Sequence, residues 1–302
     1  MKKKIFNNQA LEKINSGISK LLENQEFDSK EALQEFLNKK LKDGKMDFSS
    51  RRTKQEIAQD FMYDAWDVEK RKKRIELAQK ALSIFPDCAD AYNLLAEDEA
   101  KTLEDAKTLY QEGMERGRKA LGKNFKEMEG HFWGITNTRP YMRSCLGLMR
   151  CCWASKEYEK AIDLAKEMLK LNPNDNQGVR YLLIIYLAEV GKYAELKKFM
   201  ESQYKDDSSI EWTYIKALLF FALEGVSKKA EKLLNQALKN NCYVPEYLTE
   251  QKPLPTLLPD CYSWGSPEEA ILFVANSLNV WKKIPGALDW LKSKYIVQSF
   301  SI

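Results

Sequence analysis

"KEYEKAIDLAKEMLKLNPND", Lys156–Asp175, decides how the chain is read, because it recurs. "GKYAELKKFMESQYKDDSS", Gly191–Ser209, aligns with it so that Tyr158 falls on Tyr193, 35 positions on. "GVSKKAEKLLNQALKNN", Gly225–Asn241, follows with Ala230 34 positions beyond Leu196. A period of this length belongs to stacked pairs of antiparallel helices that approach each other through small residues at fixed places. Ala161 and Ala230 stand at those places, and Pro173 in "LNPND" breaks the chain between one unit and the next.

The same logic operates upstream. In "ALSIFPDCADAYNLLAEDEA", Ala81–Ala100, Ala81 precedes a break at Pro86, and Tyr92, Leu95 and Ala96 open the next unit. Elsewhere apolar residues recur at three- and four-residue spacing, as in Ile57, Phe61, Met62, Ala65 and Trp66, or Ala217, Leu218, Phe221 and Ala222, and no segment alternates as a strand does. The pattern predicts an all-α fold: a right-handed solenoid of helical hairpins, the α-α superhelix of tetratricopeptide-like repeats.

Helix-end signals set the divisions. Ser266 is an expected N-cap, with Pro267 in the first turn and Glu269 completing a capping box. Pro245, Pro253, Pro255 and Pro259 predict an extended crossing over 243–265, followed by a capping hairpin at 266–296. An irregular insert is expected at 120–140. The repeat domain then occupies 51–302. Residues 1–50 hold two amphipathic helices marked by Leu11, Ile14, Ile18 and Leu21, and by Leu33, Phe36, Leu37 and Leu41, joined to the repeats by "KDGKMDFSSRR". Whether these helices pack on the repeats or move is open at this level.

Composition narrows the function classes. The 302 residues are 44% hydrophobic and 30% charged, with a mean hydropathy of −0.52, which describes a folded, soluble chain. The net charge of +4 comes from interleaved acids and bases, so it marks no nucleic-acid footprint; the densest basic run, "EKRKKR" at Glu69–Arg74, is flanked by acids and reads as a solvated helix start. The basic N-terminus has no apolar stretch behind it, and no run is long enough to span a membrane, so a cytoplasmic location is expected. Six cysteines form no CxxC pair and read as small core residues in a reducing compartment. Cys151 and Cys152 point about 100° apart on a helix, so one is expected buried and the other partly exposed. No cofactor and no metal site is implied.

Several ordered strings carry a family resemblance: "FPDCADAYNLLAEDEAKTLEDAKTLYQEGM" (Phe85–Met114), "GHFWGITNTRPYMR" (Gly130–Arg143), "LNPNDNQGVRYLL" (Leu171–Leu183), "VPEYLTEQKPLP" (Val244–Pro255) and "EEAILFVANSLNVWKKIPGALDWL" (Glu268–Leu291). Over about Phe27 to Leu291 the chain resembles the tetratricopeptide-like proteins of bacteria and plants, which are related in turn to the suppressor of tumorigenicity 7 family of animals. The resemblance implies an all-helical repeat fold and no established catalytic residues. The animal members look membrane-associated, whereas no comparable hydrophobic segment is seen here. The chain also departs from the family at Cys242-Tyr243, where Pro-His is commoner before the Val-Pro.

Two site readings remain. With no GxSxG, HExxH, Walker or GxGxxG motif, the first is a non-catalytic interaction scaffold that binds a peptide or partner protein in its groove. Arg143 and Arg150, seven apart on a first helix, share a face and are expected beside Tyr181 and Trp212, a wall suited to an acidic or C-terminal segment. The same arginines also suit ion pairs with acids on the next helix. The second reading is an enzyme or small-ligand pocket around the lone His131 with Trp133, Arg139 and Arg180. Against it stands a structural role for "GHFWGITNTRPYMR", in which Trp133 fills a joint and Thr138 caps the helix begun at Pro140. A bacterial effector delivered into host cells is a further alternative, without a sequence marker.

Overall fold

The computed structural model describes residues 8–22, 25–42 and 52–299. Most of the "KDGKMDFSSRR" linker and the basic start therefore lie outside the described residues. Among those residues every named element is a helix, with 15 α-helices and a single isolated β-bridge at Phe132 and Ile135. Contacts group the chain into two compact units, Met1–Asn176 and Gln177–Ile302.

The first unit comprises α1 (Asn8–Leu22), α2 (Lys30–Lys42), α3 (Lys54–Trp66), α4 (Arg71–Ile84), α5 (Ala89–Asp98), α6 (Leu103–Leu121), α7 (Arg139–Ala154) and α8 (Tyr158–Leu171). Helices α3 to α8 form three successive hairpins. Alanines let α3 and α4 approach closely: Ala58, Ala65, Ala78 and Ala81 are completely buried around Met62. Thr53 and Glu56 close a capping box at the start of α3, and Thr102 and Asp105 do so for α6. Each box satisfies orphan N–H donors that would otherwise oppose helix initiation there.

The second unit comprises α9 (Val179–Glu189), α10 (Tyr193–Met200), α11 (Ile210–Glu224), α12 (Lys228–Asn240), α13 (Val244–Leu248), α14 (Pro267–Lys283) and α15 (Ala287–Ser299). Its core is aromatic. Tyr214 meets Phe273 at 5.4 Å and Trp281 at 6.4 Å, Phe221 stacks on Trp290 at 4.5 Å, and the Tyr214 hydroxyl donates to the Asn241 carbonyl.

The expected period is visible in the helix starts. The second helices α8, α10 and α12 begin at Tyr158, Tyr193 and Lys228, and the residues at the small-residue place, Ala161, Leu196 and Ala230, are all completely buried.

Several expectations are corrected. For helix α1, whose packing the sequence leaves open, Leu11 and Ile14 are exposed while Glu12 is buried, so α1 docks through a carboxylate. The crossing at 243–265 is not wholly extended, since Pro245 sits in the first turn of α13, where its missing N–H costs nothing. The irregular part is 249–266, which leaves Leu257, Leu258, Tyr262 and Trp264 exposed. At α14 Ser266 accepts from the Glu269 N–H as expected, but the Glu269 carboxylate accepts from Gly265 N–H and the Asn241 amide rather than closing the box on Ser266. Cys151 and Cys152 are both buried, since α7 packs against α6 on one side and α8 on the other, whereas Cys242 and Cys261 are exposed rather than in the core.

The α6–α7 contact depends on small residues. A Cβ on Gly147 would stand 2.2 Å from the Tyr110 ring. Gly147→Ala is expected to lower stability by about 1–3 kcal/mol, through overpacking. Urea unfolding checks this, and an unchanged midpoint would show that α6 and α7 are not in this contact.

Candidate functional site

The site is built on a buried carboxylate. Asp90, in the first turn of α5, has no exposed surface, so its charge must be met inside the protein. Gln59 of α3 donates to it at 2.7 Å and Asn93 at 3.0 Å. Arg143 of α7 closes a bidentate pair with Nε at 2.8 Å and Nη2 at 2.5 Å. Asn93 also donates to the Pro140 carbonyl and accepts from Ser144 Oγ, which locks the register of α5 against the first turn of α7. Trp66 lies 5.2 Å from the Arg143 guanidinium and forms an aromatic wall.

The outer edge of Arg143 holds a second carboxylate. Nη1 and Nη2 each donate to Glu12 of α1 at 3.0 Å. Arg139, one turn earlier, adds Nη1 at 3.4 Å, and the Tyr63 hydroxyl donates at 3.3 Å. Burial works against the Arg143 charge, yet Asp90 and Glu12 outweigh it and hold the guanidinium charged well above its ordinary range. Burial, with Glu12 and Asp90 beside it, pushes the Tyr63 phenol far above its usual range and keeps it a protonated donor.

Arg139 is aimed by the loop before α7. Trp133 sits at φ 74°, a left-handed conformation uncommon for its type; its N–H donates to Thr138 Oγ1 and its carbonyl accepts Arg139 Nε at 2.7 Å. Thr138 is thus spent on this loop and makes no side-chain cap for α7. The joint itself is filled by Phe132 rather than Trp133: Phe132 is 1% exposed, meets Phe125 and Tyr141 edge-on, and donates its N–H to the Leu171 carbonyl. A cleft of about 970 Å³ opens between α1, the start of α3 and Gly134–Asn137, with Tyr63 and Pro140 in its lining but neither Arg139 nor Arg143.

The expected site residues separate. Arg139 and Arg143 converge on one carboxylate. Arg150 is exposed further along α7 while Arg143 is mostly enclosed, so the two make no common wall. Trp212 is 1% exposed against Phe199 and Tyr204, in the core of the second unit where no partner reaches it. Arg180 lies 4.1 Å over the Tyr181 ring and pairs with Asp207 at 2.7 Å, within that second unit. His131 is exposed and is not in the lining of the cleft.

Glu12, Gln59, Tyr63, Asp90, Asn93 and Ser144 were not singled out from sequence. Asp90 and Asn93, three apart among the apolar residues of "ADAYNLLA", were the available signal of a polar patch turned inward. Glu12 carried none, because its partner lies 131 positions away.

The fold and site together define an all-α protein of helical hairpins with a pre-aimed arginine pair. The family model for ST7 protein matches residues 25–300, and the chain belongs to that family. The suppressor of tumorigenicity 7 protein-like of Bos taurus is 28% identical over 256 residues, covering 76% of this chain and 45% of the relative. The Homo sapiens counterpart gives 28% with 76% and 44% coverage, and the suppressor of tumorigenicity 7 protein of Macaca fascicularis gives 26% over 260 residues with 76% and 48%. The chain spans just under half the length of these curated relatives. No helix among the described residues is long and apolar enough to cross a membrane.

In the second unit burial pushes the Glu211 carboxyl up to about 7, with Glu269 and Asp207 adding to the effect. A carboxyl with its folded pKa above the unfolded value of 4.5 takes up a proton on folding, so its contribution is lost as pH rises from about 4.5 through 7. Glu211→Gln is therefore expected to gain stability relative to the parent between pH 5 and pH 8. Thermal melts across that range check it, and a constant difference would contradict the shift.

Proposed function

We propose that this protein is a non-catalytic interaction scaffold that takes an acidic segment or C-terminal carboxylate of a partner protein at the arginine pair of its first unit. The observation that carries this reading is the convergence of Arg143, Arg139 and Tyr63 on a single carboxylate, with each arginine aimed by a separate partner. Bidentate guanidinium geometry selects carboxylates, and the flanking Trp66 and the cleft offer apolar contact to the rest of a peptide. The groove expected from Arg143, Arg150, Tyr181 and Trp212 is replaced by this cleft. Hairpins repeating in the tetratricopeptide manner, as in the bacterial and plant proteins, and a cytoplasmic location belong to the same reading; nucleic acid does not.

The cleft volume favours a second reading, a small carboxylate-bearing ligand beside Arg139. His131 has no part in it.

A peptide array probed with the labelled protein tests the proposal. Binders are expected to be enriched in Asp, Glu or free C-termini. Arg139→Gln, which leaves the Arg143–Asp90 pair intact, is expected to weaken them about tenfold, the equivalent of roughly one charged hydrogen bond. Binders without acidic character, or indifferent to Arg139, would remove the arginine pair from the account. A thermal shift with small dicarboxylates in the absence of any peptide binder would move the account to the second reading.

A further inference from the structure

We infer that α1 is a displaceable internal occupant of this receptor: Glu12 holds the place of a partner's carboxylate, and an acidic segment binds by exchange with it. The inference rests on reading the arginine pair as a receptor, and adds how that receptor is regulated.

The receptor does not need α1 for its shape. Arg143 is oriented by Asp90, Arg139 by the Trp133 carbonyl, and Asp90 by Gln59 and Asn93, all of them residues of α3, α5, α7 and the loop before α7. When Glu12 leaves, two guanidinium groups face one buried carboxylate, and the unmatched positive charge calls for an anion of the same kind.

Helix α1, by contrast, depends on the receptor. Its Leu11 and Ile14 are 46% and 41% exposed, and its Ile18 and Leu22 are only half-buried. Among the described residues its other ionic contacts are Lys13 with Asp64, both about half exposed, and Lys20 with Glu56, both partly exposed. Pairs of that kind contribute about 0–1 kcal/mol each. Glu12, 3% exposed and held by Arg143, Arg139 and Tyr63, is the anchor.

The position of α1 makes the exchange consequential. Lys13, Ile14, Ser16, Gly17 and Lys20 form one side of the cleft, so a segment that takes the Glu12 position removes that side and opens the cleft. The receptor residues lie within the family-matched 25–300, and Glu12 lies before that stretch. An occupant on the same chain competes at an effective concentration in the millimolar range, enough to suppress weak ligands while yielding to good ones.

The test uses the full chain and a fluorescein-labelled synthetic peptide of residues 8–22, followed by fluorescence polarisation. The parent chain, whose own Glu12 fills the site, is expected to bind the peptide at least tenfold more weakly than Glu12→Lys or the milder Glu12→Gln chain. A peptide carrying Gln in place of its Glu12 is expected to lose that binding. Circular dichroism melts establish that each chain is folded, and Glu12→Gln serves if Glu12→Lys is not. Equal, measurable affinity of parent and variant chains overturns the exchange and leaves the receptor standing. No binding by any chain, or equal binding of the Gln peptide, overturns both.

Discussion

The bidentate pair between Arg143 and Asp90 is the constraint around which the first unit is arranged. It joins α5 to α7 directly and reaches α3 through Gln59 and Trp66, so three helices from three successive hairpins share one charged centre. Neither charge tolerates loss of the other: removal of one partner from a buried pair costs about 3–5 kcal/mol, because the survivor stays buried and uncompensated. Such a pair contributes less to net stability than to uniqueness. Only the register that brings Asp90, Asn93, Pro140 and Ser144 together satisfies all their donors and acceptors.

The same constraint explains why a binding site arises beside it. Asp90 occupies one edge of the Arg143 guanidinium and leaves the other edge pointing outwards. Arg139, one helical turn away, is swung to that side by the strained Trp133 carbonyl. Glu12 meets both, with Tyr63 completing its shell. A helix with exposed leucine and isoleucine and a buried glutamate inverts the usual division of labour, and that inversion sets α1 apart from the hairpins it docks on.

What could be read from sequence was what repeats. Tyr158 and Tyr193, with the small residues Ala161 and Ala230, disclosed the helical pairs, and Ser266 disclosed the start of α14, because these signals are local and periodic. The centre of the site was not legible for the opposite reason: Glu12 meets Arg143 across 131 positions, and no period links them. Aromatic residues misled in a characteristic way. Trp133 was expected to fill the joint and Trp212 to line a groove, yet Phe132 fills the joint and Trp212 lies in the core, since side-chain size says how much surface is buried only after packing is known. Arg143 pairs with acids inside the protein, the alternative open in the sequence, but those acids come from α5 and α1 rather than from the next helix. His131, the sole imidazole, proved to be an exposed residue of the loop whose backbone matters more than its ring.

The account turns on Glu12 being seated against Arg143, and a double-mutant cycle measures that contact most directly. Unfolding free energies of the parent, Glu12→Gln, Arg143→Met and the double variant give the coupling between the two side chains, with the cost of stranding Asp90 cancelling between the arms. The arrangement described above predicts a coupling of about 1–3 kcal/mol. A coupling indistinguishable from zero would show that α1 does not sit on the arginine pair, and would contradict both the structure of the site and the exchange inferred from it.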